Sequence, residues 1–143
     1  MSIFRLKPWA AMFSCDIGSE ILTHAFSPNG EELAAATSLG LTFVHTNGWK
    51  TQRRMSAALD RRARILFAPD GRSFWLAHDA RTAALYDTRS FELLLPLAPG
   101  VLPLAISPDG NHVLVSIDAR RLQLWNWAVL RRELEELGLG WSR

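Results

Sequence analysis

Between residues 20 and 126 the chain alternates short apolar runs with compact polar turns, and the alternation comes round three times. "ILTHAF" (21–26), "RARILF" (62–67) and "VLPLAI" (101–106) each lead into a turn, and a second run follows each one: "ELAAAT" (32–37), "SFWLAH" (73–78) and "HVLVSI" (112–117). A polar link then leads to "LTFVHT" (41–46), "TAALYD" (82–87) and "RLQLWN" (121–126). Runs of this length between turn residues predict β-strands. The second runs are apolar at nearly every position, the pattern of strands covered on both faces. Fourth strands are predicted at "WKTQRRMS" (49–56) and "FELLLPL" (91–97), the former polar enough for an outer edge facing water.

The turns are the strongest local signal. Ser27-Pro28-Asn29-Gly30, Ala68-Pro69-Asp70-Gly71 and Ser107-Pro108-Asp109-Gly110 share one chemistry. Proline presets φ, Asn or Asp bonds the nearby backbone, and glycine accepts positive φ. With prolines at 28, 69 and 108 the repeat is about forty residues long, which four short strands and their connections fill. That is the length of one propeller blade. Pro96 and Pro103 fall on the outermost and innermost strands of their units, where a missing N–H breaks no ladder.

The parse gives blades over 20–58, 59–98 and 99–126, a strand of a preceding or closing blade within 6–19, and a tail over 127–143. In the tail, Asn126 is placed to cap a helix from Trp127 to Leu137, with Leu130, Leu134 and Leu137 on one stripe and Gly138 as terminator. Arg131 with Glu135 and Arg132 with Glu136 stand at i, i+4 spacing, and the leucines and Trp141 are expected to pack on the last blade. The expected fold is all-β: a partial β-propeller of about three four-stranded antiparallel blades with a short C-terminal helix.

The order strand, "SPDG", strand, Asp-containing turn at Asp79 or Asp118, and strand ending in an aromatic plus Asp or Asn resembles the WD-repeat family of β-propellers. Tyr86-Asp87 and Trp125-Asn126 stand where that family has its Trp-Asp pair, with His45-Thr46 as a degenerate copy. The resemblance implies a hydrogen-bonded network of Ser116, Asp118 and Trp125 in the third unit, although the family's histidine has no counterpart there. "WNWAVLRRELEELGLGW" resembles the tail closing WD-repeat regions of large bacterial proteins, notably planctomycete-type chains that join a serine/threonine kinase to a propeller. No kinase motif occurs in this sequence.

Closed propellers have about four to eight blades, so three repeats predict an open fan, a two-chain ring, or the C-terminal part of a larger propeller. In the ring, the strand near residues 6–14 of one copy completes the third blade of the other.

Composition narrows the function more than it defines it. The 143 residues are 48% hydrophobic, enough for a core, and 16 basic against 14 acidic residues leave a net charge of +2. That balance gives no global attraction to nucleic acid or anionic membrane. The lone Cys15 excludes an intrachain disulfide and suits a reducing compartment, hence a cytoplasmic protein. The most apolar stretch, 93–106, is too short and too proline-rich to span a bilayer.

A basic cluster runs from Lys50 to Arg64. In a propeller Arg61 and Arg62 lie in a fourth-to-first connection, and Arg81, Arg120 and Arg121 lie in or beside second-to-third turns, so all five share one face. That face could attract an acidic or phosphorylated peptide; solvated loop charge is the simpler account of the same residues. Nucleic acid is disfavoured because no aromatic residues interleave the arginines. His24, His45, His78 and His112 lack the close spacing of metal ligands. Asp79 and Asp118 read as turn formers, Ser107 has no nucleophile motif, and Trp75 and Trp125 read as core. The sequence thus implies no cofactor, no metal and no catalytic set. The expected role is a noncatalytic scaffold for a protein or peptide partner, possible self-association or pairing with further blades included. A purely structural module and the remnant of a propeller enzyme are the alternatives.

Overall fold

The computed structural model describes residues 17–48 and 50–138, with the backbone alone at 50–52. The strand expected near residues 6–14, Cys15, and Trp141 lie outside the described residues. Blade 1 contains β1 (Thr23–Phe26), β2 (Glu32–Thr37), β3 (Gly40–His45) and β4 (Lys50–Ser56). Blade 2 contains β5 (Arg64–Phe67), β6 (Ser73–Ala77), β7 (Ala83–Asp87) and β8 (Leu93–Pro96). Blade 3 contains β9 (Val101–Ile106), β10 (His112–Ile117) and β11 (Arg121–Asn126), and α1 (Trp127–Glu136) follows directly. Each blade is a separate antiparallel sheet whose strands neighbour one another in sequence order. The fold is an all-β partial propeller with a short C-terminal helix. No helix among the described residues is long and apolar enough to cross a membrane.

Each first-to-second turn closes by the chemistry its sequence carries. Gly30, Gly71 and Gly110 donate their N–H groups to the carbonyls of Ser27, Ala68 and Ser107 at 2.8–2.9 Å. In blades 1 and 3 the serine hydroxyl donates to Asn29 or Asp109 and accepts from the N–H of Glu32 or His112. Pro96 ends an outer edge strand, and Pro103 lies in β9 beside the register shift opposite Leu114 and Val115. Both prolines sit at sheet margins, as expected.

One alignment has to be corrected. Pairing of the second and third strands sets Glu32 opposite His45, Ser73 opposite Asp87 and His112 opposite Asn126. The residue equivalent to Tyr86 and Trp125 is therefore Val44, and His45 is the counterpart of Asp87, so the degenerate copy of the pair is Val44-His45 and not His45-Thr46. Turn length is the cause: Ser38 and Leu39 alone separate the paired residues Thr37 and Gly40, whereas Asp79–Arg81 and Asp118–Arg120 are longer by one.

The core lies between blades. Phe43 of β3 sits 5.8 Å from Phe74 of β6 and 5.1 Å from Phe91, with Phe67 edge-on at 6.4 Å. Ala34, Ala36 and Leu41 from blade 1 and Ile65 and Leu76 from blade 2 close the cluster. Each large side chain buried here contributes roughly 1.5–3 kcal/mol, and each well-placed ring pair about 0.5–1.5 kcal/mol beyond that. Blades 2 and 3 meet differently, with Trp75 buried and its ring edge-on to Trp127 at 5.2 Å.

That contact revises the expected seating of α1. Leu130 and Leu134 are half-buried, as the stripe predicts, and so is Trp127, which adds the contact with Trp75; Leu137 departs from the stripe, capping the helix with 73% of its surface exposed. The Asn126 side chain accepts from the Val129 N–H at 3.1 Å, the expected cap. Arg131 pairs with Glu135 at 4.0 Å. Trp125 is not core either: it is half-buried on an edge strand, and its indole donates to Gln123. Likewise β10 alternates buried Val113 and Val115 with half-buried Leu114 and Ser116, so its second face is covered less completely than the first.

Candidate functional site

The connections that carry the five predicted arginines are tied together by backbone hydrogen bonds. The Asp60 N–H donates to the His78 carbonyl at 3.0 Å, the Gly100 N–H to the Arg81 carbonyl at 2.8 Å, and the Asp118 N–H to the Gly100 carbonyl at 2.9 Å. The β4–β5 and β8–β9 connections thus share one end of the blades with the β6–β7 and β10–β11 turns. Arg61, Arg62, Arg81, Arg120 and Arg121 are all exposed there.

Side chains preset the loop shapes. The Asp60 carboxylate accepts from the Arg62 N–H, and that of Asp79 accepts from the N–H groups of Arg81 and Thr82, all at 2.8 Å. Those backbone donors, Arg81 foremost, hold the Asp79 carboxyl below the usual carboxylate range. Asp118 adopts φ +51° in its turn and faces Arg81, with 3.7 Å between charged atoms. Both partners are well exposed, so the pair contributes little to stability, but it partly neutralises Arg81.

Residues proposed for other chemistry are engaged locally. The indole of Trp125 bonds Gln123 and the carboxylate of Asp118 faces Arg81, so neither group enters the network that the resemblance implied with Ser116. In blade 2 the Tyr86 hydroxyl instead meets His78 Nε2 at 3.0 Å. Burial lowers the His78 pKa, against a smaller raising effect of Asp79, and burial raises that of Tyr86. Asp87 Oδ1 accepts from the N–H groups of Arg89 and Ser90. His45 Nδ1 accepts from the Asn47 N–H, and the Ser107 hydroxyl serves its turn. Among the described residues no group of three His, Cys, Asp or Glu is placed to hold a metal ion.

Among the described residues, clefts that the sequence did not announce open at the opposite end. One, of about 710 Å³, opens between blades 1 and 2 and is lined by Glu31, Glu32, Arg53, Asp70 and Thr88 among others. The other, about 420 Å³, is floored by Trp75 and Trp127. Arg53 governs the first. Its Nη1 donates to the carbonyls of Thr88 and Arg89 at 2.6 and 2.8 Å, its Nη2 reaches Glu32 at 3.4 Å, and its guanidinium lies over Phe43 and Phe91. The Thr88 hydroxyl is buried at the same place without a hydrogen-bond partner. In the sequence Arg53 was one more member of a basic cluster; Phe91, thirty-eight positions away, gives it a different role.

No family model matches the chain, and no curated protein matches it either.

Proposed function

We propose that this chain is a noncatalytic docking platform of the WD-repeat type, set in a bacterial cytoplasm, which binds an acidic protein or peptide across the end bearing Arg61, Arg62, Arg81, Arg120 and Arg121. The observation that supports this reading most directly is the hydrogen-bonded continuity of the four connections at that end, which links the loops carrying the exposed arginines to one another. Loops already tied by their own hydrogen bonds leave fewer backbone groups to be ordered on binding. Guanidinium groups in turn suit carboxylate or phosphate acceptors by their fork geometry. The turn chemistry, the forty-residue period and the interblade packing support the propeller part of the reading.

The test is a titration of the full chain with a fluorescent Glu-rich peptide, its phosphoserine counterpart, a neutral peptide of the same length and a DNA duplex. Binding of the two acidic peptides, weakening with salt and falling about tenfold or more in Arg61→Glu/Arg62→Glu, is the expected result. Equal binding of all four ligands, or acidic-peptide binding indifferent to the charge reversal, would remove the proposal.

A further inference from the structure

β11 differs from the outermost strands of the other two blades. β4 carries Arg53 and Arg54, and its pairing with β3 shifts register between Phe43 and Val44. β8 ends on Pro96, and its pairing with β7 shifts at the equivalent step, Leu85 to Tyr86. Charge, proline and bulges are the means by which sheet edges avoid further pairing. β11 has none of them between Leu122 and Trp125, and its ladder with β10 runs unbroken from Arg121 to Asn126. Its other edge carries no strand among the described residues.

Register sharpens the point. Leu122 and Leu124 are equivalent to Leu41 and Phe43 in β3 and to Ala83 and Leu85 in β7. Those four are buried, whereas Leu122 and Leu124 expose 68% and 67% of their surface. An unprotected edge offers free N–H and C=O groups to a further strand, and the two bare leucines on it gain cross-strand contacts when such a strand adds.

We infer that β11 pairs antiparallel with β11 of a second copy of this chain, joining two three-stranded blades into one six-stranded sheet across a two-fold axis. The strand is self-complementary in the register centred on Gln123. Alternation along the strand puts Leu122 and Leu124 on one face, and the two-fold sets each of them opposite the other's counterpart. On the second face Arg121 comes opposite Trp125, a cation against an aromatic ring, and no like charges meet. Gln123, which accepts the Trp125 indole N–H at 3.1 Å, lies on the axis.

The experiment uses the full chain. Sedimentation equilibrium gives twice the chain mass, and Leu122→Lys/Leu124→Lys weakens association by about tenfold or more with the far-ultraviolet circular dichroism unchanged. Independently, Gln123→Cys in a Cys15→Ser background forms a disulfide-linked dimer under mild oxidation, because the axis brings the two positions face to face. Leu137→Cys, exposed on the helix cap, cross-links far more slowly. A monomer at every concentration overturns the inference. So does a dimer indifferent to the lysines, or one in which position 123 cross-links no faster than 137; the last result would point to blades stacked face to face.

Discussion

The guanidinium of Arg53, carried by blade 1, lies 4.6 Å from the centre of the Phe91 ring of blade 2. The same group donates to two carbonyls of the turn leading to Phe91, so one side chain holds the rim of the interblade core and the loop beyond it. Hydrogen bonds to a charged group contribute about 1.5–3 kcal/mol, and a partly desolvated cation over a ring about 0.5–2 kcal/mol. Arg53→Ala is expected to lower unfolding stability by about 2–3 kcal/mol in urea titrations. Arg53→Lys recovers less than half, since an ammonium lacks the fork that reaches both carbonyls.

Gly40 and Gly30 separate two kinds of glycine. At Gly40, φ is +140° and an added methyl group would collide with the Met55 carbonyl oxygen, which belongs to paired backbone. At Gly30, φ is +75° and the space is open. Gly40→Ala is expected to cost on the order of 3 kcal/mol or more, and Gly30→Ala about 1 kcal/mol. Thermal melts of the two variants, side by side, check the ordering.

Acid should weaken the fold in two steps. The unfolded chain protonates His78 as pH falls through the ordinary range near 6.5, while the folded chain, whose His78 pKa is lowered by burial, resists until lower pH. Stability contributed by neutral His78 is therefore lost below about pH 6.5 and levels off beneath the folded value. Asp79, lowered by its backbone donors, adds a second loss as pH drops through the carboxylate range. His78→Phe flattens only the upper step in a plot of unfolding free energy against pH.

The two tryptophans of the blade 2–3 contact are unequal. Trp75 is buried in β6, so Trp75→Ala is expected to cost about 3–5 kcal/mol. Trp127 is half-buried at the start of α1, and Trp127→Ala should cost roughly 1–2 kcal/mol, mostly as lost helical signal. Circular dichroism near 222 nm during urea titration separates the two effects.

The blades were legible because their signals are local: each turn tetrapeptide carries its own hydrogen-bond donors and acceptors, and each apolar run is about one strand long. Strand register was less so, since the two-residue turn at Ser38 and Leu39 shifted one alignment by a position, and no composition signal marks the loss of a turn residue. The exposed arginine loops were legible in kind, as connections expected at one end of the blades. What escaped was every role that depends on the neighbouring blade. Arg53 reads as surface charge until Phe43 and Phe91 are set beside it, and Trp127 reads as the first residue of a helix until Trp75 is beneath it. His78 and Tyr86 stand eight residues apart, yet only the hairpin brings them together.

The phenylalanine cluster has a consequence for how the molecule breathes. In a linear array each unit is steadied only by its neighbours, and here the two junctions differ in kind: Phe43 of blade 1 packs into a group of rings from blade 2 at the first, while Trp75 meets Trp127 beside the buried Val113 and Val115 of blade 3 at the second. Blades 1 and 2 should open as a single cooperative unit, while blade 3 with its helix detaches at lower free energy.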